Sequence, residues 1–144
     1  MTTPWQLDWN ESLSMFIPEI DAQHQNFIRL INELNEAIIG RMDIEEIKRR
    51  MQSILDDAAM HFAHEEVLFK EWGYPGAEEH AQRHVQAMQF FRKIMEEFGR
   101  DRTEYEWIEA GLKVKQALIG HLLAEDIKYR DYRVAQGQLS RPMP

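Results

Sequence analysis

The chain has 144 residues, a net charge of −8 and no cysteine; 44% of it is hydrophobic and 29% charged. That length fits one domain spanning 1–144, which would bury roughly 70% of the surface its unfolded chain exposes. The acidic balance gives a phosphate backbone or an anionic membrane nothing to hold, the lack of cysteine excludes disulfides and thiolate ligands, and no apolar run is long enough to span a bilayer.

The N-terminal stretch MTTPWQLDWNE lacks the basic head and apolar core of a secretion signal, so a cytoplasmic location is expected. Residues 1–18 read as an arm closed by Pro18, with Trp5 and Trp9 placed to pack it onto the rest. The first helical period covers about 19–39, with Ile20, Phe27, Ile31, Leu34 and Ile38 on one side. After Gly40, Asp43 is a suitable N-cap for a second helix over about 44–72. Its seam is Ile44, Ile47, Met51, Ile54, Ala58, His61, Glu65, Leu68 and Trp72, in steps of three and four. Gly73, Pro75 and Gly76 break the chain before a third helix at about 77–98, with Ala77, His80, His84, Ala87, Phe91, Ile94 and Phe98 on its seam. Gly99 precedes a fourth, less regular period over about 103–132, through Trp107, Ile108, Leu112, Leu118, Leu122 and Tyr129. No sustained alternation of period two occurs. The pattern predicts an all-α fold, an up-down-up-down four-helix bundle with an N-terminal arm.

Several polar residues stand where that bundle needs apolar ones. His61 and Glu65 interrupt one seam, and His80 and His84 another. Each pair is four residues apart, about 40° around a helix, so both members face the same way. His24 precedes Phe27 by less than one turn, and His121 lies on the fourth helix, so every helix sends at least one imidazole inward. A single core histidine is ordinarily just hydrogen-bonded. Five of them, with a carboxylate and no other polar core, call for a shared partner, and a metal suits neutral imidazoles and carboxylates. His64, about 60° from the direction of His61 and one position before Glu65, can stand behind the ligands as a supporting group or lie on the solvated rim, and the rim is the expected place. One zinc takes too few ligands to use five histidines. Two ions with two bridging carboxylates and a bridging oxygen fill about eleven of roughly twelve octahedral positions, which leaves one open. Glu65 is one bridging candidate. The other must come from HLLAEDIKYR, residues 121–130, where ideal helix geometry prefers Glu125 over Asp126. Asp126 lies about 140° from His121 on a regular helix and needs local widening, as in a π-bulge.

The stretches IDAQH (20–24), HFAHEE (61–66), YPGAEEHAQRH (74–84) and HLLAEDIKYR (121–130) together resemble the hemerythrins, most closely the single-domain bacteriohemerythrins, from about Trp9 to Tyr132. The resemblance implies a non-haem di-iron centre, two Fe ions per chain with an oxo or hydroxo bridge. It implies that His80, His84 and His121 hold one iron, that His24 and His61 hold the other, which keeps the open position, and that Glu65 and Asp126 bridge them. The family's last acid lies five residues after its histidine, so the resemblance selects Asp126 over Glu125. Either the fourth helix is then irregular between them, or Asp126 reaches the ions from the flank. The implied activity is reversible O2 binding for storage, delivery or buffering, not catalysis. O2 is the implied ligand, an O2-consuming protein a partner, and the chain a monomer. The alternative is a redox enzyme or sensor acting on peroxide or nitric oxide at the same centre. A histidine-rich site in an apolar shell, with Phe27, Phe62, Leu118 and Leu122 as wall candidates, favours binding over the chemistry of carboxylate-rich di-iron enzymes. Two positions depart from the family pattern: Phe16 replaces a common glycine and Ala117 a common tryptophan.

Overall fold

The structure, a computed structural model, describes residues 7–97 and 104–137; Trp5, Phe98, Gly99, Thr103 and the side chain of Leu122 lie outside the described residues. A 3-10 turn at Glu11–Leu13 is followed by α1 (Pro18–Ile39), α2 (Ile44–Trp72), α3 (Ala77–Glu97) and α4 (Glu104–Gly120). A π-helical turn, His121–Asp126, then leads without a break into α5 (Ile127–Ala135). No strand occurs among the described residues. α1 packs on α2 and α4, and α3 packs on the same two, so the elements close an all-α four-helix bundle.

Local chemistry sets the helix ends. Pro18 does not close the arm but opens α1 as its first residue, where its missing N–H is no loss. The Asp43 side chain accepts the Glu46 N–H at 3.0 Å and caps α2. Gly73, at φ +61°, ends α2 in the left-handed conformation, and the Tyr74 N–H reaches back to the Phe69 carbonyl. Gly111 lets α4 approach α1 closely: a Cβ there would come within 2.1 Å of Asn35 Oδ1.

The arm is held by polar contacts. The backbone of Leu7 exchanges two hydrogen bonds with the Asn32 amide (2.9 and 2.8 Å). Asp21 accepts from the Ser14 hydroxyl and the Met15 N–H, both at 2.7 Å. The guanidinium of Arg130 donates to the Ser14 carbonyl and lies 5.2 Å from the Phe16 ring. Phe16 itself sits at φ +61°, which explains why a glycine suits this position. Ala117 is half-buried against the main core.

The apolar interior is divided in two. The larger core joins Phe27, Ile31, Leu34, Met51, Ile54, Ala58, Phe62, Phe91, Val114, Leu118 and their neighbours. A smaller one joins Met15, Ile20, Phe69 and Tyr129, with Trp72, Tyr74 and Ile127 against it. The α2 seam therefore passes through Phe69, 1% exposed, and leaves Leu68 half-buried. Between the two cores each helical arm carries a polar step: His24 between Ile20 and Phe27, His61 and Glu65 between Ala58 and Phe69, His80 and His84 between Ala77 and Phe91, His121 and Asp126 between Leu118 and Tyr129.

Candidate metal centre

All seven residues named from sequence meet in that layer. His24, His61, Glu65, His80, His84, His121 and Asp126 are each buried, the most exposed being His121 at 8%. Their donor atoms fall into two groups, each within 4.8 Å across: Glu65, His80, His84, His121 and Asp126 in one, His24, His61, Glu65 and Asp126 in the other. Glu65 and Asp126 belong to both.

The distances show how the carboxylates stand between the imidazoles. Asp126 Oδ1 lies 2.9 Å from both His80 Nε2 and His121 Nε2, and Oδ2 lies 3.1 Å from His24 Nε2. Glu65 Oε1 lies 3.1 Å from His84 Nε2 and 3.3 Å from His61 Nε2. His24 and His61 face each other through Nε2 atoms 3.1 Å apart.

Asp126 can do this because the fourth arm is wound as a π-turn from His121 to Asp126. The wider turn carries residue 126 back to the side of residue 121, so the first of the two sequence alternatives is the one realised. Glu125 is turned out of the layer, 3.4 Å from Lys128 Nζ and 3.8 Å from Arg83 Nε.

A metal fits these residues better than their own mutual hydrogen bonding does. Asp126 Oδ1 and Oδ2, His80 Nε2 and His121 Nε2 are buried and make no hydrogen bond, although 2.9 Å separates the nearest pairs. The lone pairs converge on common points, and an unsatisfied buried carboxylate is costly. A cation at those points satisfies imidazole and carboxylate together, and the all-N/O donor set suits a first-row transition metal.

Electrostatics agrees. Burial pulls the Asp126 carboxyl toward neutrality, but His121, His24 and His61 outweigh it and hold it well below the usual carboxylate range. Burial and the charge of Asp126 push Glu65 the other way, upward. Burial, with His121 and His80 close by, lowers His84 to about 4. Burial also works against charge on His121, but Asp126 prevails and its pKa is raised.

Four residues support this layer, and of them the sequence offers only His64, as the less favoured of two readings. Tyr129, a core position by periodicity, donates its hydroxyl to Glu65 Oε2 at 2.6 Å. Glu66 Oε2 lies 3.4 Å from His84 Nδ1. Gln23 Oε1 lies 2.5 Å from His61 Nδ1, and Gln23 Nε2 lies 3.0 Å from His64 Nδ1. His64 is thus half-buried and hydrogen-bonded, which corrects its expected place on the solvated rim. These partners lie 18 to 64 residues apart in the chain, so no local spacing announces them. The wall candidates are in place where described: Phe27 meets His61 edge-on, Phe62 stacks on His84 at 4.0 Å, and Leu118 is 2% exposed.

The family model described as the hemerythrin HHE cation binding domain matches residues 15–130. A bacteriohemerythrin of Pseudomonas aeruginosa (strain LESB58) is 31% identical over 134 residues, covering 87% of this chain and 80% of the relative. One from Stenotrophomonas maltophilia (strain R551-3) is 28% identical over 130 residues, with the same coverage. A hemerythrin-like protein of Naegleria gruberi is 26% identical over 131 residues, covering 90% and 95% of the two chains. With that match laid over a buried layer of five histidines and two carboxylates, the chain belongs to the hemerythrin family.

Proposed function

We propose that the chain binds O2 reversibly at a pair of iron ions, for storage, delivery or buffering, and that it is a binder and not an enzyme. The observation that carries this reading is the pair of donor groups that share Glu65 and Asp126 but differ by one imidazole. His80, His84 and His121 would hold one iron, His24 and His61 the other, and the two carboxylates would bridge them. The second ion would have one protein donor fewer, and a small ligand would take that place. Two ferrous ions supply, when bound, the two electrons that reversible O2 capture needs.

The chain's own residues provide the rest. Asp126 faces the two histidine groups with different oxygens, and Glu65 faces both with one shared oxygen. Tyr129 holds the outer oxygen of Glu65 and fixes the carboxylate plane. Phe27, Phe62 and Leu118 line the layer with apolar surface and keep water from it. Seven neutral or singly charged donors, mostly imidazole, stabilise highly oxidised iron less than a carboxylate-rich set does, which supports binding over oxidation chemistry.

Protein loaded with Fe(II) under nitrogen and exposed to air tests this. A visible spectrum that forms in air and reverses under nitrogen supports it. Sustained turnover of peroxide or nitric oxide with an electron donor, well above that of free iron, would replace it with a redox enzyme on the same centre.

A further inference from the structure

A second set of contacts approaches the layer from outside, between α1 and α2. A cleft of about 540 Å³ opens there, lined in part by Gln23, Asn26, Asp57, Met60 and His64, with His61 at its inner end. Of these, Gln23 is hydrogen-bonded to His61, and His64 is hydrogen-bonded to Gln23.

We infer that Gln23, braced by His64, is the positioning residue for the ion site formed by His24 and His61. The amide oxygen can only accept, so the His61 nitrogen it faces, Nδ1, carries the ring proton. That leaves Nε2 as a lone pair directed into the layer, 3.3 Å from Glu65 Oε1. The amide nitrogen can only donate, so it faces an unprotonated Nδ1 on His64. A His64 ring unprotonated at Nδ1 accepts from the amide in this orientation and would offer nothing to the flipped one. Flipping the amide would present N–H to His61 Nδ1 and force the ring proton to Nε2, where a metal must bind. The companion ligand at this ion site has no such support: His24 Nδ1 is buried and without a hydrogen-bond partner. The partner of a metal-bound imidazole commonly fixes its tautomer and ring plane.

The inference rests on the two-ion reading above, and two measurements separate them. The first is long-range proton–nitrogen NMR on metal-free protein with labelled histidine, where no ion dictates the tautomer. His61 is expected as the Nδ1–H tautomer; an Nε2–H tautomer overturns the role of Gln23. The second is an anaerobic Fe(II) titration against a competing chelator. Gln23→Ala should weaken one equivalent by about tenfold to hundredfold and leave the other nearly unchanged. Gln23→Glu, whose carboxylate still accepts from His61, should recover most of that loss. His64→Ala should weaken the same equivalent by a smaller factor. Equal loss of both equivalents, or of neither, contradicts the inference. Should Gln23→Ala fail to fold, His64→Ala and the wild-type tautomer still decide it. Should wild-type protein take up no second equivalent, the two-ion reading falls, and the tautomer still reports on Gln23.

Discussion

His121 and Asp126 lie five residues apart in one helical arm, yet His121 Nε2 and Asp126 Oδ1 are 2.9 Å apart. On a regular α-helix the two side chains would diverge by about 140°. The π-turn between them brings both into the layer and turns Glu125 away to Lys128 and Arg83. Asp126→Ala should therefore abolish tight binding of both metal equivalents, because its two oxygens face histidines of both groups. Glu125→Ala should retain both. Metal analysis after gel filtration distinguishes the variants, and the reverse pattern would reinstate Glu125.

Tyr129 carries the next expectation. Its hydroxyl, fully buried, is 2.6 Å from Glu65 Oε2. Tyr129→Phe removes that donor and leaves a buried carboxylate oxygen without it. A loss of about 1–3 kcal/mol is expected in urea unfolding of the metal-free protein, with an unchanged slope. No loss would mean that Glu65 finds another donor.

The polar layer also sets how protons and metal compete. Glu65 and His121 have raised pKa values in the metal-free fold. Both hold protons more tightly than in the unfolded chain, and a bound ion must displace them. Metal binding near neutral pH should release protons, and affinity should fall as the pH drops. Calorimetry in two buffers of different ionisation enthalpy measures the release; zero net release contradicts it.

His84 has the opposite sign. Its pKa is lowered to about 4, against 6.5 for the free side chain. Between those values the unfolded chain takes a proton that the native one does not, so this residue costs stability as pH falls from 6.5 to 4. Metal-free His84→Asn should gain stability relative to wild type across that window, read as the difference between two denaturation series. A constant difference would remove His84 as the cause.

Phe16 tests the backbone of the arm. At φ +61° an L-residue carries strain that glycine does not, of about 1–2 kcal/mol. Phe16→Ala and Phe16→Gly both lose the Arg130 contact, so their difference isolates the backbone. Glycine also makes the unfolded chain more flexible, by about 0.4–1 kcal/mol. Phe16→Gly should still match or exceed the thermal stability of Phe16→Ala.

Much of the fold was legible because heptad-like seams and Gly/Pro breaks are local signals. Asp43 as a cap follows from its residue type before an apolar period, and the four helical periods with the inward set His24, His61, Glu65, His80, His84 and His121 follow from spacings of three and four. Asp126 did not follow from spacing, since the π-turn changes the period that spacing assumes; only the resemblance to a family selected it. The residues that support the layer were hidden for a different reason. Gln23 and His61 are 38 positions apart, and Tyr129 and Glu65 are 64 apart. Such pairs exist only after the bundle has closed. The division of the interior into two cores was likewise invisible in any one helix, because it emerges from four polar steps arriving at the same height.

A reversible O2 site on two irons is tested most directly by one measurement. Metal-free protein is loaded with Fe(II) under nitrogen, analysed for iron, and followed optically through cycles of air and nitrogen. Two irons per chain are expected, one for each donor group, with a visible spectrum that appears in air and disappears when O2 is removed. Fewer than two irons, or a spectrum that forms once in air and never reverses, would contradict it.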